Sequence, residues 1–311
     1  MVSLIIASTD DDASLTLYEG MLRLGGWNDE ILSKHGRYRT HHLRDVHILL
    51  IDEIHVQADD IDIQHQDEIG VNVDDVLILS RHVSSSNIPA ITLHSIGLPG
   101  ETPHGEAGRS GGIKGKIVPS NPLFAPLFRK MVELATSRGL DSDFDLTLET
   151  THHGPLLSKP TLYVEVGSTE KEWLRADVAD VWAETISSVL GLDGSPPQYW
   201  DGNGEVMIGV GGGHYAPRHR SVIHENNFWF SHLLANYSLL FDDPVEGELP
   251  GGVWQHALEI TVDATRSAFP NGDIFAHLDR KSFKGWQRLA IIEKLAELGI
   301  PVRRGKELSR R

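Results

Sequence analysis

The chain has 311 residues, 44 acidic against 28 basic side chains for a formal charge of −16, and no cysteine. Without thiols, disulfide scaffolds, zinc ribbons, iron–sulfur clusters and cysteine nucleophiles are excluded, so any metal must sit on the carboxylates or on the 17 histidines. The acidic balance argues against a whole-surface nucleic-acid binder and against DNA as a partner, and no apolar run approaches the roughly 20 residues of a membrane span.

Short β-rich runs alternate with helix-like stretches, which predicts an α/β fold of three layers: a mixed, mostly parallel sheet flanked by helices. Residues 4–8 read as the first strand. The opening Met1-Val2-Ser3-Leu4-Ile5-Ile6 lacks the basic start and long apolar core of a secretion signal, so a cytoplasmic protein is expected. Asp10-Asp11-Asp12 offers caps for a helix through Leu15, Leu17, Tyr18, Met21 and Leu24, ended by Gly25-Gly26. Residues 46–52 and 76–80 are strands almost continuous in apolar side chains and so buried on both faces, and the acidic stretch 54–75 reads as an exposed excursion. A strand over 91–94 opens a glycine-rich loop over 97–115, long enough to suggest a lid or binding segment. A helix over 122–138 stops at Gly139.

The second half repeats the rhythm. Strands are predicted over 146–150 and 162–166, then one long helix over 171–190 with Val178, Val181, Trp182, Ile186 and Val189 on one side. A strand over 206–210, a helix over 254–268, an extended or turn segment over 274–277, a helix over 286–298 and an edge strand at Val302 follow. The whole chain, 1–311, is expected to form a single α/β unit, divisible into halves 1–140 and 141–311 with most of the site in the second, and a monomer is the favoured state.

Functional side chains of α/β sheets gather at the carboxyl ends of strands. Four such ends are loaded: Thr92-Leu93-His94-Ser95, Glu149-Thr150-Thr151-His152-His153-Gly154-Pro155, Val164-Glu165-Val166-Gly167-Ser168-Thr169-Glu170 and Gly209-Val210-Gly211-Gly212-Gly213-His214-Tyr215-Ala216-Pro217. If those strands are neighbours, His94, His152 or His153, Glu165 and His214 converge. Zinc on two or three such ligands keeps a position open for water and lowers its pKa to about 7. His94, His152 and His214 are assigned as metal ligands. Adjacent histidines on an extended backbone point to opposite faces, so both His152 and His153 reach one ion only if a turn separates them. His153 is grouped with Glu149 and Glu165 as catalytic, either carboxylate being able to act as general base. Gly211, Gly212 and Gly213 allow backbone N–H groups to approach an anionic or ester oxygen, and with Tyr215 and Ser168 they are the expected substrate contacts. The alternative for each histidine is a hydrogen-bonded residue at a strand edge.

Three familiar signatures fail on context. Gly108-Arg109-Ser110-Gly111-Gly112 has the letters of a serine-hydrolase elbow without the strand and helix around it. His224-Glu225 begins like a zincin helix, but Phe228 stands where the second histidine belongs. Gly209-Val210-Gly211-Gly212-Gly213-His214 has histidine in place of the third dinucleotide-binding glycine, with no clear helix after it. The end of the chain reverses the charge balance with Arg280, Lys281, Lys284, Arg288, Lys294, Arg303, Arg304, Lys306, Arg310 and Arg311, either a polyanion contact or a solvated surface.

Thr151-His152-His153-Gly154-Pro155, Val164-Glu165-Val166-Gly167-Ser168-Thr169-Glu170-Lys171-Glu172-Trp173, Gly209-Val210-Gly211-Gly212-Gly213-His214-Tyr215-Ala216-Pro217 and Asp279-Arg280-Lys281-Ser282-Phe283-Lys284-Gly285, in that order and spacing, resemble the D-aminoacyl-tRNA deacylases of the archaeal and plant type. Ser80-Arg81-His82-Val83-Ser84-Ser85-Ser86 and Thr92-Leu93-His94 extend the similarity over nearly the whole chain. The resemblance implies hydrolysis of the ester joining a D-amino acid to the 3′ end of tRNA, dependence on zinc, and a fold akin to the phosphorylase and peptidyl-tRNA hydrolase group. The chain departs from that pattern in its acidic segment 54–75 and its longer loop 98–115. On this reading Arg280, Lys281 and Lys284 contact acceptor-stem phosphates, and water activated by zinc and a carboxylate cleaves the ester with no covalent intermediate. The competing readings are another zinc-assisted hydrolase or nucleoside-phosphorylase-like enzyme on a small substrate, and a non-catalytic tRNA-binding protein with structural histidines.

Overall fold

The computed structural model describes residues 2–100, 111–243, 245 and 250–308. Its strands are β1 (Val2–Ser8), β2 (Ile31–Ser33), β3 (Gly36–Thr40), β4 (Val46–Ile51), β5 (Val73–Val83), β6 (Ala90–His94), β7 (Gly97–Leu98), β8 (Lys116–Ile117), β9 (Asp145–Leu146), β10 (Thr161–Ser168), β11 (Glu205–Val210), β12 (Trp229–Leu234), β13 (Asp273–Leu278) and β14 (Val302–Arg303). Its helices are α1 (Asp12–Arg23), α2 (Ile61–Ile69), α3 (Phe124–Ser137), α4 (Glu170–Trp173), α5 (Ala176–Leu190), α6 (Pro217–Glu225), α7 (Trp254–Ala268), α8 (Gly285–Glu297) and α9 (Gly305–Leu308).

Two sheets carry the fold. The first has the order β2-β3-β4-β1-β5-β10-β6-β9, the second β12-β11-β13-β14. In the first, β4, β1, β5 and β10 are parallel, β10 and β6 antiparallel, and β2–β3–β4 an antiparallel edge. The second is parallel throughout. Apolar layers on both faces explain why β4 and β5 read as continuous hydrophobic runs. Leu17, Phe128 and Trp182 of α1, α3 and α5 pack with Ile5, Leu77 and Val164, while Ile61 of α2 packs with Leu4, Ile6 and Ile78. Met207, Phe230 and Phe275 of the second sheet join the first of these cores, and α7 and α8 pack Trp254, Leu258 and Ile291 onto the other side with Ile208 and Ala276. This is the mixed, mostly parallel sheet flanked by helices that the sequence predicts.

Local chemistry sets most boundaries. Asp11 caps α1 by accepting the Ser14 N–H, and Thr169 and Glu172 form a capping box on α4. Several expectations need correction. The stretch 54–75 is not an exposed excursion: His55, Asp62 and His65 are buried, and Asp62 accepts the N–H groups of Ser158 and Lys159 at 2.8 Å each. The single helix over 171–190 is two, because Arg175 takes extended backbone angles between α4 and α5. The strand over 146–150 shrinks to β9, and the helix found wanting after the glycine cluster exists as α6. Strands β2, β3 and β12 have no counterpart in the predicted set. Residues 101–110 of the glycine-rich loop, including most of the elbow-like motif, and the terminal Arg310 and Arg311 lie outside the described residues; β7 and β8 pair across the loop's base.

Candidate active site

Residues 147–153 stitch the two sheets together. The N–H groups of Thr147 and Glu149 continue the ladder along β6 by donating to Ile91 and Leu93, and those of Thr150 and Thr151 then donate to His214, in the turn after β11, and to Leu233 on β12 of the second sheet. At the end of the segment His153 has a φ of 39°, a left-handed turn. That turn supplies the condition under which neighbouring histidines share a target. The rings of His152 and His153 lie 4.5 Å apart and 4.1 and 4.7 Å from that of His94.

Three groups of side chains follow, each with ligand atoms within 4.8 Å of one another: His94, His152 and His153; Glu149, His152 and His214; and His82, Glu149 and Glu165. His152 joins the first two and Glu149 the last two. His214 Nε2 is 2.6 Å and His152 Nε2 3.7 Å from Glu149 Oε2, while His82 Nδ1 is 3.1 Å from Glu149 Oε1 and 3.3 Å from Glu165 Oε2. The other oxygen of Glu165 is 3.6 Å from His94 Nε2.

Burial and charge define what the site holds. Burial alone would depress His82, but the two carboxylates against it push it up to about 12, so it is an imidazolium. Burial opposes ionisation of Glu149 and Glu165 as well, yet the surrounding imidazoles hold Glu149 well below its usual range and Glu165 at about 2. Burial and neighbouring imidazoles push His152 far down and His153 to about 3, so both are neutral. Burial would also lower His94, but Glu165 raises it and so favours positive charge at its Nε2.

These residues fit a divalent metal. A carbonyl oxygen only accepts, so the Nδ1 atoms of His94, His152 and His153, at 3.1, 2.7 and 2.6 Å from the carbonyls of Ser95, Thr150 and Gly154, carry hydrogen and leave each Nε2 as the ligating atom. Nε2 of His94 is buried, with Glu165 Oε1 3.6 Å away, beyond ordinary hydrogen-bond distance. Glu149 and Glu165, both buried and held ionised, would compensate the charge of such a cation.

Behind the trio lies a buried chain the sequence did not single out. Asp11 Oδ2 is 3.0 Å from His55 Nε2 and His55 Nδ1 3.1 Å from the Tyr163 hydroxyl. A carboxylate only accepts, so Nε2 of His55 is the donor and Tyr163 donates to its Nδ1. The Tyr163 ring supports His94 and His153.

Of the predicted residues, His94, Glu149, His152, His153, Glu165 and His214 come together, and Tyr215 joins them with its hydroxyl 2.9 Å from His82 Nε2. Ser168 instead donates its hydroxyl to the Ile88 carbonyl. The N–H groups of Gly211 and Gly212 are committed to the Leu234 carbonyl and the Ser282 hydroxyl. Arg280 and Lys281 sit in the turn after β13, and Lys284 precedes α8. His82 and Tyr237, the latter 3.1 Å from the Thr150 hydroxyl, are additions; His82 was visible only inside the Ser80-Arg81-His82 motif.

The family model described as D-aminoacyl-tRNA deacylase matches residues 69–303. A D-aminoacyl-tRNA deacylase of Arabidopsis thaliana is 40% identical over 97% of this chain and 98% of its own length. The chain belongs to the D-aminoacyl-tRNA deacylase family. Family members from Methanosarcina mazei, 32% identical over 98% of the chain and 92% of their own, and from Pyrococcus furiosus, 30% identical over 96% and 98%, are similar from end to end. The crystal structure of a conserved protein of unknown function shares the fold, with a TM-score of 0.77 at 24% identity over 99% of this chain and 97% of that one. No helix among the described residues is long and apolar enough to cross a membrane.

Proposed function

We propose that this chain hydrolyses the ester between a D-amino acid and the 3′ end of tRNA, releasing both, with zinc held by His94, His152 and His153, so that His153 takes the ligand position the sequence assigned to His214, and with Glu149 as general base. Family membership supports the ester substrate. The observation that carries the metal is the shared tautomer of the trio, each Nδ1 turned to a carbonyl, in three rings that each offer a ligand atom within 4.8 Å of the others. When bound, zinc supplies Lewis acidity that lets water lose a proton near pH 7.

The protein's own groups do the rest. Glu149, ionised at neutral pH, takes the proton of the attacking water and returns it to the leaving ribose oxygen, while the Nε2–H of His214, 2.6 Å from Oε2, holds the carboxylate in place. The imidazolium of His82 uses Nδ1–H to hold Glu149 and Glu165 and Nε2–H to donate to the Tyr215 oxygen, so the Tyr215 proton is free to face the oxygen that gains charge as the ester is attacked. An aminoacyl ester is already activated, so no covalent intermediate is required.

The test is hydrolysis of D-tyrosyl-tRNA beside L-tyrosyl-tRNA. Turnover of the D substrate alone supports the reading. Equal turnover of both, or turnover of small esters only, would assign the site to another hydrolase, and retention of tRNA without cleavage would make it a binding protein.

A further inference from the structure

At the carboxyl ends of β11 and β13, where open parallel sheets offer a crevice, a cavity of about 590 Å³ is lined by Arg218, Arg280, Lys281 and Arg304 against a single carboxylate, Asp279. Asp279 is already engaged, accepting Arg218 Nη1 at 2.6 and 2.7 Å and the Lys281 N–H at 3.1 Å. Among the described residues, the side chains of Arg280, Lys281 and Arg304 have no acidic partner. Elsewhere Arg23, Arg138, Arg175, Arg220, Arg303 and Lys294 are each ion-paired. In a chain with 44 acids to 28 bases, unpaired cations gathered on one concave surface repel each other unless an anion joins them.

The cavity is tied to the reaction centre. The Gly212 N–H donates to Ser282 at 2.8 Å, joining the turn that presents His214 to the turn that presents Arg280 and Lys281. Arg218 is the fourth residue after His214, so their Cα atoms lie within about 14 Å. Lys284 is not among the lining residues.

We propose that this cavity holds phosphodiester groups of the tRNA acceptor strand, a few nucleotides from the ester, with Arg218, Arg280, Lys281 and Arg304 as the contacts. The proposal rests on the deacylase reading and adds two arginines to it. A small phosphorylated anion would satisfy the same chemistry, so the test separates the two sources.

Arg304→Glu and the double variant Arg280→Glu/Lys281→Glu are assayed on D-tyrosyl-tRNA and on D-tyrosyl-adenosine, which carries the ester but no phosphodiester. Expected is a fall of about 10-fold or more in kcat/KM on tRNA, mainly through KM, with a salt slope shallower by about one per contact removed. On D-tyrosyl-adenosine the same variants stay within about 2-fold of wild type by this reasoning. Arg304→Gln, a milder change, gives a smaller loss in the same sense if the double variant folds poorly. Unchanged tRNA kinetics, or equal losses on both substrates, would overturn the proposal. So would variants that only lose inhibition by inorganic pyrophosphate, which would give the cavity to a small anion. A wild-type protein inert on both substrates would instead sink the deacylase reading, and tRNA filter binding by the same variants would still decide the cavity.

Discussion

The Tyr163 ring lies 17° from the plane of the His94 ring at 5.2 Å between centroids, while its hydroxyl is 3.1 Å from His55 Nδ1. A hydrogen bond made by one residue thus sets the plane in which another presents its ligating nitrogen. Tyr163→Phe keeps the stack and removes the bond. Loss of such outer support costs about 10- to 100-fold in metal affinity. A competitive zinc titration of Tyr163→Phe and His55→Gln is expected to show losses in this range that do not add in the double variant, and wild-type affinity in both would show that the chain from Asp11 does not position the trio.

Glu149 is the shared member of two of the three side-chain groups. Glu149→Gln keeps its shape and removes the proton acceptor, and general-base catalysis contributes about 10²- to 10⁴-fold. A kcat lowered by about that much on D-tyrosyl-tRNA, with the folded circular dichroism spectrum retained, is expected. A kcat near wild type would move the base elsewhere.

Gly154 follows the second histidine, and a Cβ there would overlap the Gly112 nitrogen and the Gly111 carbonyl carbon. Both neighbours are backbone and cannot swing aside. Gly154→Ala must displace the His153 turn or the end of the glycine-rich loop, at a cost of about 1–3 kcal/mol. Denaturant unfolding should show that loss together with weaker zinc binding; an unperturbed protein would mean the loop end yields freely.

His65 shows the effect of pH on stability. Burial, with His47 and His35 nearby, lowers it to about 4, against 6.5 when unfolded. A depressed histidine contributes stability that is complete above pH 6.5 and is lost as pH falls towards 4, because the unfolded chain then binds the proton and the folded chain does not. Its share is up to about 3 kcal/mol, and His219 and His232, both at about 3, act in the same direction. Unfolding free energies at pH 7.5 and 5 should therefore fall less for His65→Leu than for wild type. An identical fall would show that His65 takes up its proton while folded.

Much of this was legible because burial on both faces leaves a continuous apolar record: β4 and β5 were read from such runs, and α5 from Val178, Val181, Trp182, Ile186 and Val189 on one side. Charge misled in the stretch 54–75, where Asp62 looks solvent-exposed in sequence but serves as an acceptor for two backbone N–H groups. The break at Arg175 carries no glycine or proline to announce it. In the site, clustering near strand ends revealed the histidines, but no rule of alternation foresees the positive φ of His153 that brings it beside His152. His82 contributes through register, lying on the strand paired with that of Glu165. Such neighbours are fixed by tertiary structure rather than by local pattern.

The central claim is that a metal held by the imidazole trio is needed for ester cleavage. The most direct measurement is the rate of D-tyrosyl-tRNA hydrolysis by protein stripped with a chelator, before and after one equivalent of zinc, beside His152→Ala. The account predicts no turnover when stripped, recovery on zinc addition, and no recovery in the variant. Full turnover by the stripped protein would contradict it.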